Sequence, residues 1–139
     1  MRALPAVRTT QSLALLRCGL ALLLFIHGAT RIYGGEVGGF GEFLSGSGFP
    51  LGLGIAWFVS LFEVIGAPLM AIGRWLVTPI ALVFTLIYAC GIWLVHAQWG
   101  WFVVGGGSNG VEYSVLIIVS LLAIAWSHRG EPVFGRGTA

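Results

Sequence analysis

Long apolar stretches alternate along the chain with short segments that hold most of its charged residues. A helix rises about 1.5 Å per residue, so about 20 apolar residues cross the hydrocarbon core of a bilayer. Four such stretches lie at about 13–32, 51–72, 75–95 and 111–126, and the fourth is short. The pattern predicts an all-α integral membrane protein, a single domain over 1–139 whose spans pack as an antiparallel four-helix transmembrane bundle.

Composition narrows the class of protein further. Hydrophobic residues make up 58% of the 139 residues and charged residues only 9%, against about a quarter charged in soluble domains. The net charge is +2 and no run of basic residues is present, which excludes a nucleic-acid partner. The lipid bilayer is the partner that remains.

Arginine placement predicts the orientation. Six of the seven arginines fall on one side of a four-span arrangement and only Arg31 falls on the other; the six are Arg2, Arg8, Arg17, Arg74, Arg129 and Arg136. Because cytoplasmic loops carry the excess of positive charge, both termini are expected in the cytoplasm.

The loops on the opposite side are rich in glycine. Phe40, Phe43 and Leu44 stand at helical spacing in the first of them and predict a short helix lying on the bilayer surface. In the second, Asn109 followed three residues later by Glu112 has the pattern of a capping box, in which both side chains bind the first turn of the fourth span.

Glu63 is the ionisable residue deepest in a span. It lies 12 residues from Leu51 and nine from Ile72, close to the bilayer midplane, where a charged group costs about 2.5–3.5 kcal/mol. Ser60 shares its helix face, and Pro68 loosens the helix nearby. Two interpretations stay open: a buried residue that fixes helix packing, or a proton, ligand or quinone site.

His27 and Arg31 stand four residues apart and share a face of the first span. Side chains lean towards the N-terminus of their helix, so in antiparallel spans these two lean towards Glu63. The three residues are expected to line one polar cavity that opens outward, with a His27–Glu63 pair for proton movement. Arg17 leans to the cytoplasm and is expected to stay outside that cavity, reaching the inner interface or packing between helices.

The secondary candidates are His96 and Glu112 at the outer face and Arg17 at the inner end, whereas His128 is expected to be solvated or at the lipid surface at the inner end. The three histidines stand at three depths without paired ligand spacing, so no metal site is expected. Cys18 and Cys90 also stand at different depths, which disfavours a disulfide. The pattern of a nucleophile with its base is lacking too, which disfavours an enzyme acting alone.

Several short segments together resemble the DoxX family. They are Arg17, then Phe25-Ile26-His27-Gly28-Ala29-Thr30-Arg31, Glu63, Gly73-Arg74, His96 with Gly100, and Asn109-Gly110-Val111-Glu112-Tyr113. The resemblance covers about Leu13 to Trp126, and it departs from the family at Arg31, where a lysine is common. It implies a small four-helix, multi-pass protein of the bacterial inner membrane.

The resemblance also implies a function. Family members are associated with membrane redox systems linked to quinones or sulfur compounds, so the chain is expected to be a non-autonomous subunit or partner of such an oxidoreductase, with quinone as the cofactor to consider. Two alternatives remain: a small proton-linked transporter or permeation subunit, which needs a homo-oligomer to form a pathway, and a purely structural assembly factor.

Overall fold

The computed structural model describes residues 6–74 and 76–130, with side chains from residue 8, and most of these residues are helical. The helices are α1 (Ala6–Tyr33), α2 (Val37–Gly46), α3 (Gly52–Ile72), α4 (Val77–Gly91) and α5 (Glu112–Ser127). A π-helical turn, Ile92–His96, and a 3-10 turn, Ala97–Trp99, continue α4. Arg2 and Arg136 lie outside the described residues.

Three of the described helices are long and apolar enough to cross a membrane: Arg8–Tyr33, Gly52–Ile72 and Val77–Trp99. The first begins before the predicted residue 13 because the polar residues there continue the helix, with the Ser12 hydroxyl donating to the Arg8 carbonyl oxygen at 2.9 Å. The third extends past 95 through its π and 3-10 turns. The apolar helix α5 is shorter, at 16 residues.

Residue contacts show which ends of the helices meet. Midway along its length, α1 contacts the end of α3, where the Cys18 thiol lies 3.8 Å from the Ala71 carbonyl oxygen. Near its end, α1 contacts the middle of α3 through Arg31 and Glu63. The strongest packing joins α1 to α3, α2 to α3 and α4 to α5.

Two apolar clusters hold the helices together. The larger joins α1, α3, α4 and α5 near the α3–α4 turn, with Leu24, Met70, Phe84, Leu121 and Ile124 fully buried. The smaller lies at the other end, where Val37 and Leu44 of α2 meet Ala56 of α3. Glu63 and Arg31 lie between these two apolar clusters.

The predicted short helix around Phe40 is present as α2, and one of its faces packs on α3. Gly41 makes the contact close: a Cβ atom there would lie 2.8 Å from the Leu53 Cα atom. On α3, Gly52 faces the backbone of Gly41 and the Ser45 side chain just as closely. Glycine at both positions thus lets α2 cover the N-terminal part of α3.

Candidate ligand-binding site

A salt bridge joins α1 to α3 inside the helical assembly. Arg31 Nη1 donates to Glu63 Oε2 at 2.7 Å, and the Glu63 side chain is only 2% exposed. Two opposite charges that are removed from water stabilise one another, whereas a buried charge without a partner costs several kcal/mol. Each member of the pair thus neutralises the other.

Gly28 makes this salt bridge possible. It faces α3 one turn before Arg31, and a Cβ atom at position 28 would lie 2.5 Å from the Glu63 Cβ atom and 2.9 Å from the Ser60 carbonyl oxygen. Small residues of this kind let membrane helices approach closely. The backbones of α1 and α3 therefore meet at the level of Glu63.

Two further contacts fix the Arg31 guanidinium. The Ser60 hydroxyl, which is fully buried, donates to the Ala56 carbonyl oxygen at 2.8 Å and accepts from Arg31 Nη1 at 3.2 Å. The Phe40 ring of α2 lies 4.8 Å from the guanidinium carbon, a cation–π distance. The two hydrogen bonds of Arg31, to Ser60 and to Glu63, both use Nη1. The guanidinium is therefore held through one of its nitrogens and through the face that lies near the Phe40 ring.

A cavity of about 460 Å³ lies beside the salt bridge, within the range of small-molecule sites. Its walls are mostly aromatic and aliphatic side chains from α1 to α4, the α2–α3 loop and the π turn; the phenylalanines are Phe40, Phe43, Phe49 and Phe58. The cavity is therefore mainly apolar, unlike the polar one expected, because most of its lining side chains are apolar and Arg31 and Glu63 form its charged pair.

The structure brings His27, Arg31 and Glu63 to this one cavity, and Arg17 does not line it. The expected His27–Glu63 pair is wrong: among the described residues Glu63 bonds to Arg31, and the His27 side chain is exposed. Tyr88 of α4 also lines the cavity. Sequence reasoning missed Tyr88, since no local pattern distinguishes it from other apolar-face residues.

His96 lines the cavity and Glu112 supports the neighbouring loop. The His96 ring Nδ1 lies 2.9 Å from the Asn109 carbonyl oxygen. The predicted capping box is wrong: Asn109 is left-handed, with φ 57°, and the residue before α5 is Val111, which makes no side-chain cap. Glu112 Oε1 instead accepts from the Val103 amide at 3.0 Å, so its carboxylate holds the α4–α5 loop.

At the opposite end, Arg17 packs between helices. Its guanidinium lies against Gly73, whose φ of 71° and missing side chain leave room for it. Arg17 Nη1 lies 2.7 Å from His128 Nε2, so His128 contacts a side chain of α1 that the sequence did not indicate. The His128 residue is half-buried, and its ring Nδ1 also lies 3.0 Å from the Ile124 carbonyl oxygen.

Both cysteines are free thiols, Cys18 exposed and Cys90 half-buried on the cavity wall. Within the described residues, no group of three His, Cys, Asp or Glu side chains lies close enough to hold a metal ion. What the site offers chemically is a fixed guanidinium–carboxylate pair at the edge of an apolar chamber.

Comparison with known proteins gives one match. The family model for DoxX matches residues 12–97, more than half of the chain and the part that contains His27, Arg31, Glu63 and His96. No curated protein and no solved structure matches the chain. The chain belongs to the DoxX family.

Proposed function

We propose that the chain is a ligand-binding, non-catalytic partner of a redox system in the bacterial inner membrane, and that the cavity beside Arg31 and Glu63 holds the ligand. The observation that carries the proposal is the cavity itself, about 460 Å³ with mainly apolar walls and one charged pair. Sites for small molecules combine apolar walls with a few fixed polar groups in this way.

The proposal includes the membrane arrangement. The chain forms four antiparallel spans, including α5, with both termini in the cytoplasm. In support, Arg17 of α1 contacts both the α3–α4 turn at Gly73 and His128 after α5. Arg74 and Arg129 belong to the same end by their places in the chain, and a cluster of arginines at one end favours the cytoplasmic side.

A quinone is the ligand class we favour. A quinone ring is flat, neutral and apolar apart from its carbonyl oxygens, and Arg31 is held so that it can donate to such an oxygen. The aromatic side chains around Phe40 suit the ring. The ion pair itself carries no group that accepts or gives electrons, so the redox centre belongs to a partner.

Recovery of the native complex tests this function. The chain, carrying an affinity tag, would be isolated from its own membrane in mild detergent, and its partners and bound small molecules identified by mass spectrometry. A stoichiometric oxidoreductase together with a bound quinone is the expected result. A homo-oligomer with a central pore and no ligand would contradict the proposal and support the transporter.

The Glu63→Gln variant tests whether the ligand binds in this cavity. Gln has the shape of Glu but cannot neutralise Arg31, so the variant should lose the bound quinone while an oxidoreductase that docks elsewhere still co-purifies. Loss of the oxidoreductase with retention of the quinone would contradict the assignment of the ligand to this cavity.

A further inference from the structure

The outer halves of α3 and α4 diverge. Next to their connecting turn the two helices share the larger apolar cluster, and the Phe62 and Phe84 rings meet there with centroids 4.9 Å apart. Towards the other end, α3 packs on α1 and α2 while α4 packs on α5. The next aromatic contact across the gap is Phe49 with Trp93, at 6.5 Å.

The cavity borders the stretch of α4 between these two aromatic contacts and continues past Trp93 to His96. Phe84 and Trp93 are nine residues apart, so the opening between α3 and α4 is about 14 Å tall at 1.5 Å per residue. Phe58 of α3 and Leu86 of α4 line the cavity and are also 56% and 64% exposed. Side chains that border both the chamber and the outer surface mark where the chamber opens.

In the four-span arrangement proposed above, this opening faces lipid. The exposed stripe of α4 that includes Leu86 continues through Leu82 and Trp93, all apolar, and such a surface at the depth of a membrane span contacts acyl chains. A molecule that enters by this route is already dissolved in the bilayer, so it loses no bound water on entering the cavity.

The charge inside the cavity restricts what is bound. Arg31 and Glu63 neutralise one another at 2.7 Å, so an anion finds no net positive charge to offset the cost of leaving water. A neutral carbonyl oxygen carries no such cost, and it can accept from Nη2, because both described hydrogen bonds of the guanidinium use Nη1.

We propose that neutral, carbonyl-bearing apolar molecules enter this cavity sideways from the bilayer, between α3 and α4 at Phe58 and Leu86, and bind against Arg31. This inference rests on the proposed function, since it takes the cavity to be the ligand site, and it adds the route and the charge class.

Benzophenone is a suitable probe because it is a neutral aryl ketone that inserts into nearby C–H bonds under near-ultraviolet light. The full chain in phosphatidylcholine nanodiscs would be irradiated with benzophenone or with benzophenone-4-carboxylate, and the labelled residues mapped by mass spectrometry. Saturable labelling of Leu94 and Val95, which line the cavity, is expected with the ketone, and several-fold less with the carboxylate.

Variants at the opening test the route. Leu86→Trp narrows the gap and should cause loss of labelling inside the cavity, while Phe58→Ala widens it and should speed labelling several-fold. The matched control is Leu82→Trp, one turn away on the same exposed stripe and outside the cavity lining, which should label as the unmodified chain does. In Glu63→Gln the preference should shift towards the carboxylate.

The outcomes separate the two proposals. If Leu86→Trp and Phe58→Ala label like the unmodified chain, the lateral route is wrong and the cavity remains the ligand site. If the carboxylate labels the unmodified cavity as well as the ketone does, the neutral class is wrong. If neither compound labels the cavity in any variant, the proposed ligand site itself is wrong.

Discussion

Replacing Gly28 with alanine tests how closely α1 and α3 must approach for Arg31 to reach Glu63. The added Cβ atom would lie 2.5 Å from the Glu63 Cβ atom and 2.9 Å from the Ser60 carbonyl oxygen, whereas carbon atoms prefer about 3.5–4.0 Å. Neither neighbouring atom is at the end of a flexible side chain. The helices must therefore move apart, which stretches the salt bridge.

The magnitude follows from two opposing effects. Overpacking of this kind costs about 1–3 kcal/mol, and alanine gains up to about 1 kcal/mol over glycine within a helix. With two rigid contacts the cost should lie near the upper end, so the net loss should be about 1–2 kcal/mol. For a chain of this size that corresponds to a fall in Tm of about 3–10 °C.

Gly19→Ala is the matched control, because Gly19 lies on the same helix and nothing stands within 4 Å of its Cβ position. It should keep or raise the Tm. Thermal unfolding of both variants in the same detergent, followed by tryptophan fluorescence, gives the comparison. A Gly28→Ala variant that melts at or above the Gly19→Ala variant would refute the close contact between α1 and α3.

Three other predictions concern the ion pair, the loop and the orientation. Arg31→Met and Glu63→Met should each lower the free energy of unfolding by about 3–5 kcal/mol and the double variant by much less; additive losses in a double-mutant cycle would contradict the pairing. Glu112→Gln keeps an acceptor for the Val103 amide and should leave the α4–α5 loop resistant to protease, unlike Glu112→Ala; equal cleavage would contradict the contact. Alkaline phosphatase should be inactive when fused after Gly130 and active when inserted in that loop; the reverse would overturn the orientation.

Helix positions followed well from the sequence because they depend on local pattern. An apolar run bounded by glycine and proline predicted a span at 51–72, and α3 covers Gly52–Ile72. The spacing of Phe40, Phe43 and Leu44 predicted a short helix, and α2 is present there. The π turn at Ile92–His96 has no such signal, since neither proline nor a polar break marks it.

The partners of the polar side chains did not follow, because they depend on how the helices register against one another. Which of His27 and Arg31 pairs with Glu63 depends on the contact of Gly28 with α3, and the sequence of α1 alone permits either. Likewise, Asn109 and Glu112 match a capping pattern, but the Glu112 carboxylate accepts instead from the amide of Val103, which lies nine residues earlier in the chain. His128 meets Arg17 across 111 positions of sequence.

The occupancy of the cavity tests the central claim most directly, and the two cysteines provide the variants. Cys90 lies on the cavity wall and Cys18 lies outside it. Small molecules bound to the unmodified chain, to Cys90→Trp and to Cys18→Trp would be extracted from protein purified out of its native membrane and counted per chain. The account predicts one neutral molecule per chain in the unmodified protein and in Cys18→Trp, and its loss in Cys90→Trp. Retention of the same molecule in a folded Cys90→Trp variant, or its absence from all three proteins, would contradict the account.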